Sequence, residues 1–193
     1  AHAGDYNGSA TFPNDAQYLN DSWQATVMSY FSQSDNTTIN ADYAYAITPM
    51  IADIIAIHDL YGTPTDVRSG DTVYGNGSTA GSYLDDLFGM SAAVSFTLYD
   101  TGGTDTLDLS QYSAAQNVDL APEGISDAGG VTSNLMIARG TIIENAIGGS
   151  GNDRLSGNSA GNALSGGDGL DTLIGQEGDD ILVGGTSAGD LRD

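Results

Sequence analysis

Asp153, Asn162, Asp171 and Asp180 recur at intervals of nine residues, and each stands two places before a leucine: Leu155, Leu164, Leu173 and Leu182. Every unit opens on glycine, at positions 148, 157, 166 and 175. A fifth, frayed copy begins at Gly184 and keeps Leu191, but has Gly189 where the acid should be and Asp190 one place late. A short oxygen side chain held in a glycine-rich turn is what a hard cation such as calcium prefers, since calcium takes six to eight oxygens, many of them backbone carbonyls. The pattern reads GGxGxDxUx, with U a large aliphatic residue. Six turn residues and three strand residues cannot bury one apolar side chain alone, so successive units must wind and stack with the leucines as their core. Glycine is expected to supply the positive φ angles of the turn. A flexible glycine-rich linker would share this composition, but not a fixed aliphatic position.

The composition points the same way. Twenty-six acidic residues, 23 of them Asp, face four arginines and no lysine, for a formal charge of −22. Nucleic acid and anionic membranes are excluded as partners by that charge, and no stretch reaches the ~18 apolar residues of a membrane span. A salt-adapted or marine source would also favour an acidic surface, without explaining the spacing. Cysteine is absent, so disulfides and thiolate metal sites are excluded, and any zinc must be held by nitrogen and oxygen.

The elements that would position these residues can be read in outline. Short β-rich runs at 94–99, 107–109, 117–120 and 135–138, separated by glycine-containing turns, suggest a sandwich continuous with the stacked repeats. Two acidic loops lie among them, Arg68-Ser-Gly-Asp-Thr-Val-Tyr-Gly75 and Asp100-Thr-Gly-Gly-Thr-Asp105; each Asp taken singly could equally make a plain Asx-turn. Residues 49–61 carry apolar side chains at helical spacing, with Pro49 suited to a first turn and Gly62 to a stop. On that helix His58 has no acidic or histidine partner at metal-ligand spacing except Asp59 beside it, and is read as structural.

The nonapeptide resembles the calcium-binding repeat of RTX proteins. Val27-Met28-Ser29-Tyr30 resembles the Met-turn of metzincins, and Ala1-His2-Ala3-Gly4-Asp5-Tyr6-Asn7 is similar to the tail of their zinc motif HExxHxxGxxH. In this order the features resemble a serralysin-type secreted zinc metalloprotease over essentially the whole chain. That resemblance implies a mainly β fold: a parallel β-roll merging into a β-sandwich, preceded by the C-terminal part of a metzincin catalytic domain with one helix. The implied division is 1–62 for the catalytic part, 63–147 for the sandwich and 148–193 for a truncated roll.

It also implies ligands. Zn2+ would be held by His2 and Tyr30, Tyr30 also serving catalysis by supporting the oxyanion, with Met28 packed beneath the metal. Several Ca2+ ions would be held in the loops. One would use carbonyls of Arg68, Gly70 and Thr72 with Asp100, Gly102 and Asp105; another would use Gly103, Asp105 and Glu144, with the carbonyl of Ile142 where the family often has Thr. In the roll, units two apart share an ion. Gly149, Gly151 and Asp153 would pair with Gly166, Asp168 and Asp171, and Asn158, Ala160 and Asn162 with Gly175, Glu177 and Asp180. The second cage is the less charged because Asn162 is neutral. A third, from Gly167, Gly169 and Asp171, would fail at Gly189.

A metzincin needs two further histidines and a glutamate general base, which this sequence lacks. The chain is therefore expected to be a piece of a longer protein, inactive alone, that lacks the N-terminal part of its catalytic domain and a C-terminal export signal. The parent is expected to be an extracellular endopeptidase secreted by a bacterium through type I machinery, acting on proteins or peptides. A noncatalytic calcium-binding module remains the alternative reading.

Overall fold

A computed structural model describes residues 9–185 of the chain. The expectations for His2, Gly189, Asp190 and Leu191 lie outside the described residues. A short helix, α1 (Phe12–Asp15), and a longer one, α2 (Ile51–Tyr61), flank the two-residue strand β1 (Tyr45–Ala46). Helix α2 ends as the sequence suggests, with Gly62 at φ +89° donating its N–H to the His58 carbonyl at 2.9 Å, a conformation that glycine adopts without steric cost. Its start differs slightly, because Met50 is the N-cap and Pro49 precedes it rather than entering the first turn. His58 packs against Tyr99, with ring centroids 4.9 Å apart and planes tilted by 57°, in keeping with a structural role.

Beyond the helix come β2 (Val73–Gly75), β3 (Val94–Leu98), β4 (Thr106–Asp108), β5 (Asn117–Asp119), β6 (Ile125–Ala128) and β7 (Val131–Ile137). Then follow β8 (Asn145–Ile147), β9 (Arg154–Ser156), β10 (Ala163–Gly167), β11 (Thr172–Ile174) and β12 (Ile181–Gly185). They form two sheets, ordered β1-β3-β7-β6-β5-β9-β11 and β12-β10-β8-β4-β2. Every pairing is parallel except β5 with β6 and β6 with β7. From β8 on, each nine-residue unit contributes one strand and successive units alternate between sheets. Two units therefore make one turn of a parallel roll, and both of its sheets run on without a break into the preceding sandwich.

Register follows from the leucine position. One column stacks Tyr74, Leu107, Ala146, Leu164 and Leu182, and the other stacks Val118, Leu155 and Leu173. Tyr74, Leu107, Leu155 and Leu164 are fully buried between the sheets, each worth on the order of 2 kcal/mol of apolar burial. Leu173 packs against this core, whereas Leu182 is 47% exposed on the last strand of the described roll. In the same core Phe88 meets Phe96 of β3 edge to face at 5.1 Å.

Candidate metal centre

The residue immediately before each strand of the five-stranded sheet, and before β5, β9 and β11 of the other, builds the site. In the five-stranded sheet these are Thr72, Asp105, Glu144, Asn162 and Asp180; in the other they are Gln116, Asp153 and Asp171. Their side chains join one coil to the next. Thr72 N–H donates to Asp105 Oδ1 at 2.8 Å, Asp105 N–H to Glu144 Oε2 at 2.7 Å, and Asn162 N–H to Asp180 Oδ1 at 2.9 Å. Across the roll, Gln116 N–H donates to Asp153 Oδ1 at 2.7 Å and Asp153 N–H to Asp171 Oδ1 at 2.8 Å. The backbone at a strand's start would otherwise be an orphan donor. These oxygens satisfy it and fix the register.

The same side chains turn inward to their own loops. Gly149 N–H donates to Asp153 Oδ2 at 2.6 Å, and Asn158 N–H to Asn162 Oδ1 at 2.8 Å. This tight curl explains the first glycine of each unit. A Cβ at Gly148, Gly157, Gly166 or Gly175 would strike the carboxylate or amide of its own unit's sixth residue, and at the first three also the carbonyl of the glycine eighteen residues on. None of these four has a positive φ. Close approach requires glycine there, and the positive φ angles expected of the turn are found at Gly167, Gly169 and Gly178. A Cβ at those three would meet the carbonyls of Gly149, Gly151 and Ala160 respectively.

Loops of units two apart are thus brought together. Asp168 N–H reaches the Gly149 carbonyl at 3.0 Å, and Asp171 lies over Asp153. Asn158, Ala160 and Asn162 face the loop of Gly175, Glu177 and Asp180 in the same way, although Glu177 points to solvent. Asn162 uses its amide nitrogen to donate to the Glu144 carbonyl at 3.0 Å, a bond that no carboxylate could make.

The two upstream loops also meet. Gly103 packs so tightly on Gly70 that a Cβ would lie 2.7 Å from its carbonyl oxygen, and Asp71 Oδ1 accepts Thr104 N–H at 2.9 Å. Asp100 is buried, with Oδ1 accepting Gly102 N–H at 2.9 Å and Oδ2 accepting the Tyr74 hydroxyl at 2.6 Å. Arg68 Nε donates in turn to Tyr74 at 3.1 Å. Burial, and next the bond to Asp100, raise the Tyr74 pKa. Ile142 is half-buried two residues before Glu144.

Asp105 departs from this mutual satisfaction. It is fully buried, and its Oδ2 has no hydrogen-bond partner. Burial, with the carboxylates of Asp100, Glu144 and Asp71 adding to it against the lowering effect of the Thr72 N–H, pushes its pKa up to about 7. An open, desolvated carboxylate oxygen is one ligand that a hard cation would take. Among the described residues the ion pair Arg139–Glu123, at 2.7 Å, lies exposed elsewhere. No group of three or more His, Asp or Glu side chains among the described residues is arranged to hold a metal, so an ion in these loops would draw much of its shell from carbonyls. Calcium accepts that mixture and zinc does not.

On the helical side, Met28 is 62% and Tyr30 61% exposed. Both stand at the surface of the described chain, with His2 outside it. Sequence reasoning missed Tyr74, Gln116 and Asp53. Position directly before a strand marks Gln116, and an acid at the third residue of a helix marks Asp53. Tyr74 carries no comparable signal.

Residues 63–191 match the family model described as the C-terminal domain of M10 serralysin peptidases. Serralysin C of Dickeya chrysanthemi is 47% identical over 159 residues, which is 80% of this chain and 33% of that protein. Serralysin of Photorhabdus luminescens is 44% identical over 161 residues, covering 81% and 33%, and metallopeptidase AprA of Pseudomonas marginalis is 42% identical over 163, covering 82% and 34%. The chain spans about a third of the length of these curated relatives. With its parallel roll, its matched C-terminal domain and these relatives, the chain belongs to the serralysin family of metallopeptidases.

Proposed function

We propose that this chain is part of a secreted zinc-dependent endopeptidase, and that its roll and sandwich loops bind calcium to fold outside the cell. The protease half rests on family membership and on the Met28 turn. The calcium half rests on one observation, the buried Asp105 carboxylate with its open Oδ2 amid Asp71, Asp100 and Glu144.

At the roll the cations would lie between loops two units apart, with carbonyls of Gly149, Gly151, Gly166 and Asp168 and the carboxylates of Asp153 and Asp171 supplying oxygens. Self-repulsion among acids would keep the chain unfolded where calcium is scarce, and external calcium would fold it by mass action. Such a device suits type I export. No helix is long and apolar enough to cross a membrane among the described residues.

His2 and Tyr30 would hold the zinc from this side, and the remaining ligands and the glutamate base would come from the preceding part of the protein. Zinc, when bound, activates water for attack on a peptide carbonyl. Tyr30 would then donate a hydrogen bond to the oxyanion. The complete protein carrying His2→Ala should lose casein hydrolysis and bound zinc while keeping its calcium-dependent folding. Full activity in that variant would remove His2 from the site. A complete wild-type protein that binds calcium but hydrolyses nothing would instead leave a calcium-binding module.

A further inference from the structure

Asp53 sits in the first turn of α2 and spends its carboxylate largely outside the helix. Its Oδ2 accepts two backbone donors, Met50 N–H and Val27 N–H, both at 2.9 Å. Its Oδ1 accepts the Thr26 hydroxyl at 2.5 Å. That hydroxyl, its proton committed to Asp53, accepts Met28 N–H at 3.0 Å. One carboxylate therefore sets three consecutive residues of the turn, directly at Thr26 and Val27 and through Thr26 at Met28. Ala52 N–H adds a backbone tie to the Ala25 carbonyl at 2.9 Å.

The far side of the turn is held differently. Trp23, the single tryptophan of the chain, donates its indole N–H to the Ser29 carbonyl at 3.0 Å and its backbone N–H to the Phe31 carbonyl, also at 3.0 Å. Tyr30 lies between those two acceptors. Met28 and Tyr30 are exposed, and these hydrogen bonds tie the turn on both sides. Those accepted by a carboxylate are the strong ones.

We propose that Asp53 is the positioning residue of the 26–30 turn, fastening it to α2 and so fixing where Tyr30 is presented. The consequence for catalysis rests on the zinc-endopeptidase reading above; the structural tie does not. Asn at position 53 would face an amide NH2 toward donors at one end, and Val at position 26 would remove the relay to Met28. Thr26→Ser keeps it.

The test has two arms. In this 193-residue chain with calcium, acrylamide quenching of Trp23 should rise about twofold in Asp53→Asn and in Thr26→Val and stay at the wild-type value in Thr26→Ser, with far-UV circular dichroism unchanged. The double variant should add little to either single one, because both break the same relay. In the complete protein, kcat on a peptide substrate should fall on the order of tenfold in Asp53→Asn with KM within about twofold and zinc content unchanged, as a misplaced group predicts. Thr26→Ser should retain the wild-type kcat. Trp23 quenching and kcat both unaltered by Asp53→Asn and by Thr26→Val would overturn the proposal. Altered quenching beside a wild-type protein that neither binds zinc nor hydrolyses peptides would uphold the tie and sink the protease reading instead.

Discussion

The backbone N–H of Asp153 donates to the carboxylate of Asp171 at 2.8 Å, eighteen residues and one turn of the roll further on. Each acid before a strand thus has two tasks, holding the coil behind it and supplying oxygen to its own loop. The tasks separate by substitution. Asp171→Asn keeps an acceptor and loses charge, whereas Asp171→Ala leaves the Asp153 donor without its partner. In saturating calcium the Ala variant should be less stable than the Asn variant by about 1–3 kcal/mol, read from urea unfolding. Equal stabilities would mean that the ladder contributes nothing.

Asn162 is the one neutral member of the repeat's acid column. Its amide nitrogen bonds the Glu144 carbonyl, so Asn162→Asp gives up a donor and sets a carboxylate against a carbonyl oxygen. Without calcium that change should destabilise the chain. With calcium the added charge should strengthen binding, since ligand charge tunes affinity at such sites. A calcium titration followed by circular dichroism should therefore show a lower midpoint and a larger amplitude for Asn162→Asp.

Asp105 predicts a pH dependence for the calcium-free chain. Its folded pKa, raised to about 7 from an ordinary 3.8, means that the native state binds the proton more tightly than the unfolded one. The contribution is full below about pH 4 and is lost as pH rises through 7. Thermal midpoints of residues 63–147, measured in chelator, should fall between pH 5 and pH 8, and Asp105→Asn should flatten the slope. Calcium uptake at pH 7 should release protons, visible as a buffer-dependent heat in calorimetry. A slope unchanged by Asp105→Asn would place the titration elsewhere.

Much of this was legible in the residues. The nine-residue interval with a fixed leucine gave the strand positions of the roll, because one apolar side chain per unit leaves a single way to form a core. The pairing of loops two units apart came from resemblance. What escaped was long-range: Gln116, 37 residues from Asp153, and Tyr74, 26 residues from Asp100, become neighbours only once the sandwich stacks in register on the roll. The positive φ expected of the turn glycines is found at Gly167, Gly169 and Gly178, but the crowding that requires glycine at the start of each unit escaped for the same reason. Crowding by a carbonyl one coil away has no local signature, while a positive φ does.

That crowding is testable at Gly149, whose Cβ would run into the Tyr112 carbonyl, whereas Gly62 has open space around it. Gly149→Ala should cost about 1–3 kcal/mol, as overpacking against backbone does. Gly62→Ala should cost about 1–2 kcal/mol for its φ of +89° alone and leave calcium affinity as it was. Thermal unfolding with a calcium titration distinguishes the two, since Gly149→Ala should also weaken binding.

Hydrogen exchange on the 193-residue chain, in millimolar calcium and again after chelation, tests most directly whether calcium holds the roll together. Removal of calcium should abolish protection in β9, β10, β11 and β12, with loss of the β signal in circular dichroism and recovery on adding calcium back. Protection and spectra unchanged by the chelator would contradict calcium as the element that folds this part of the chain.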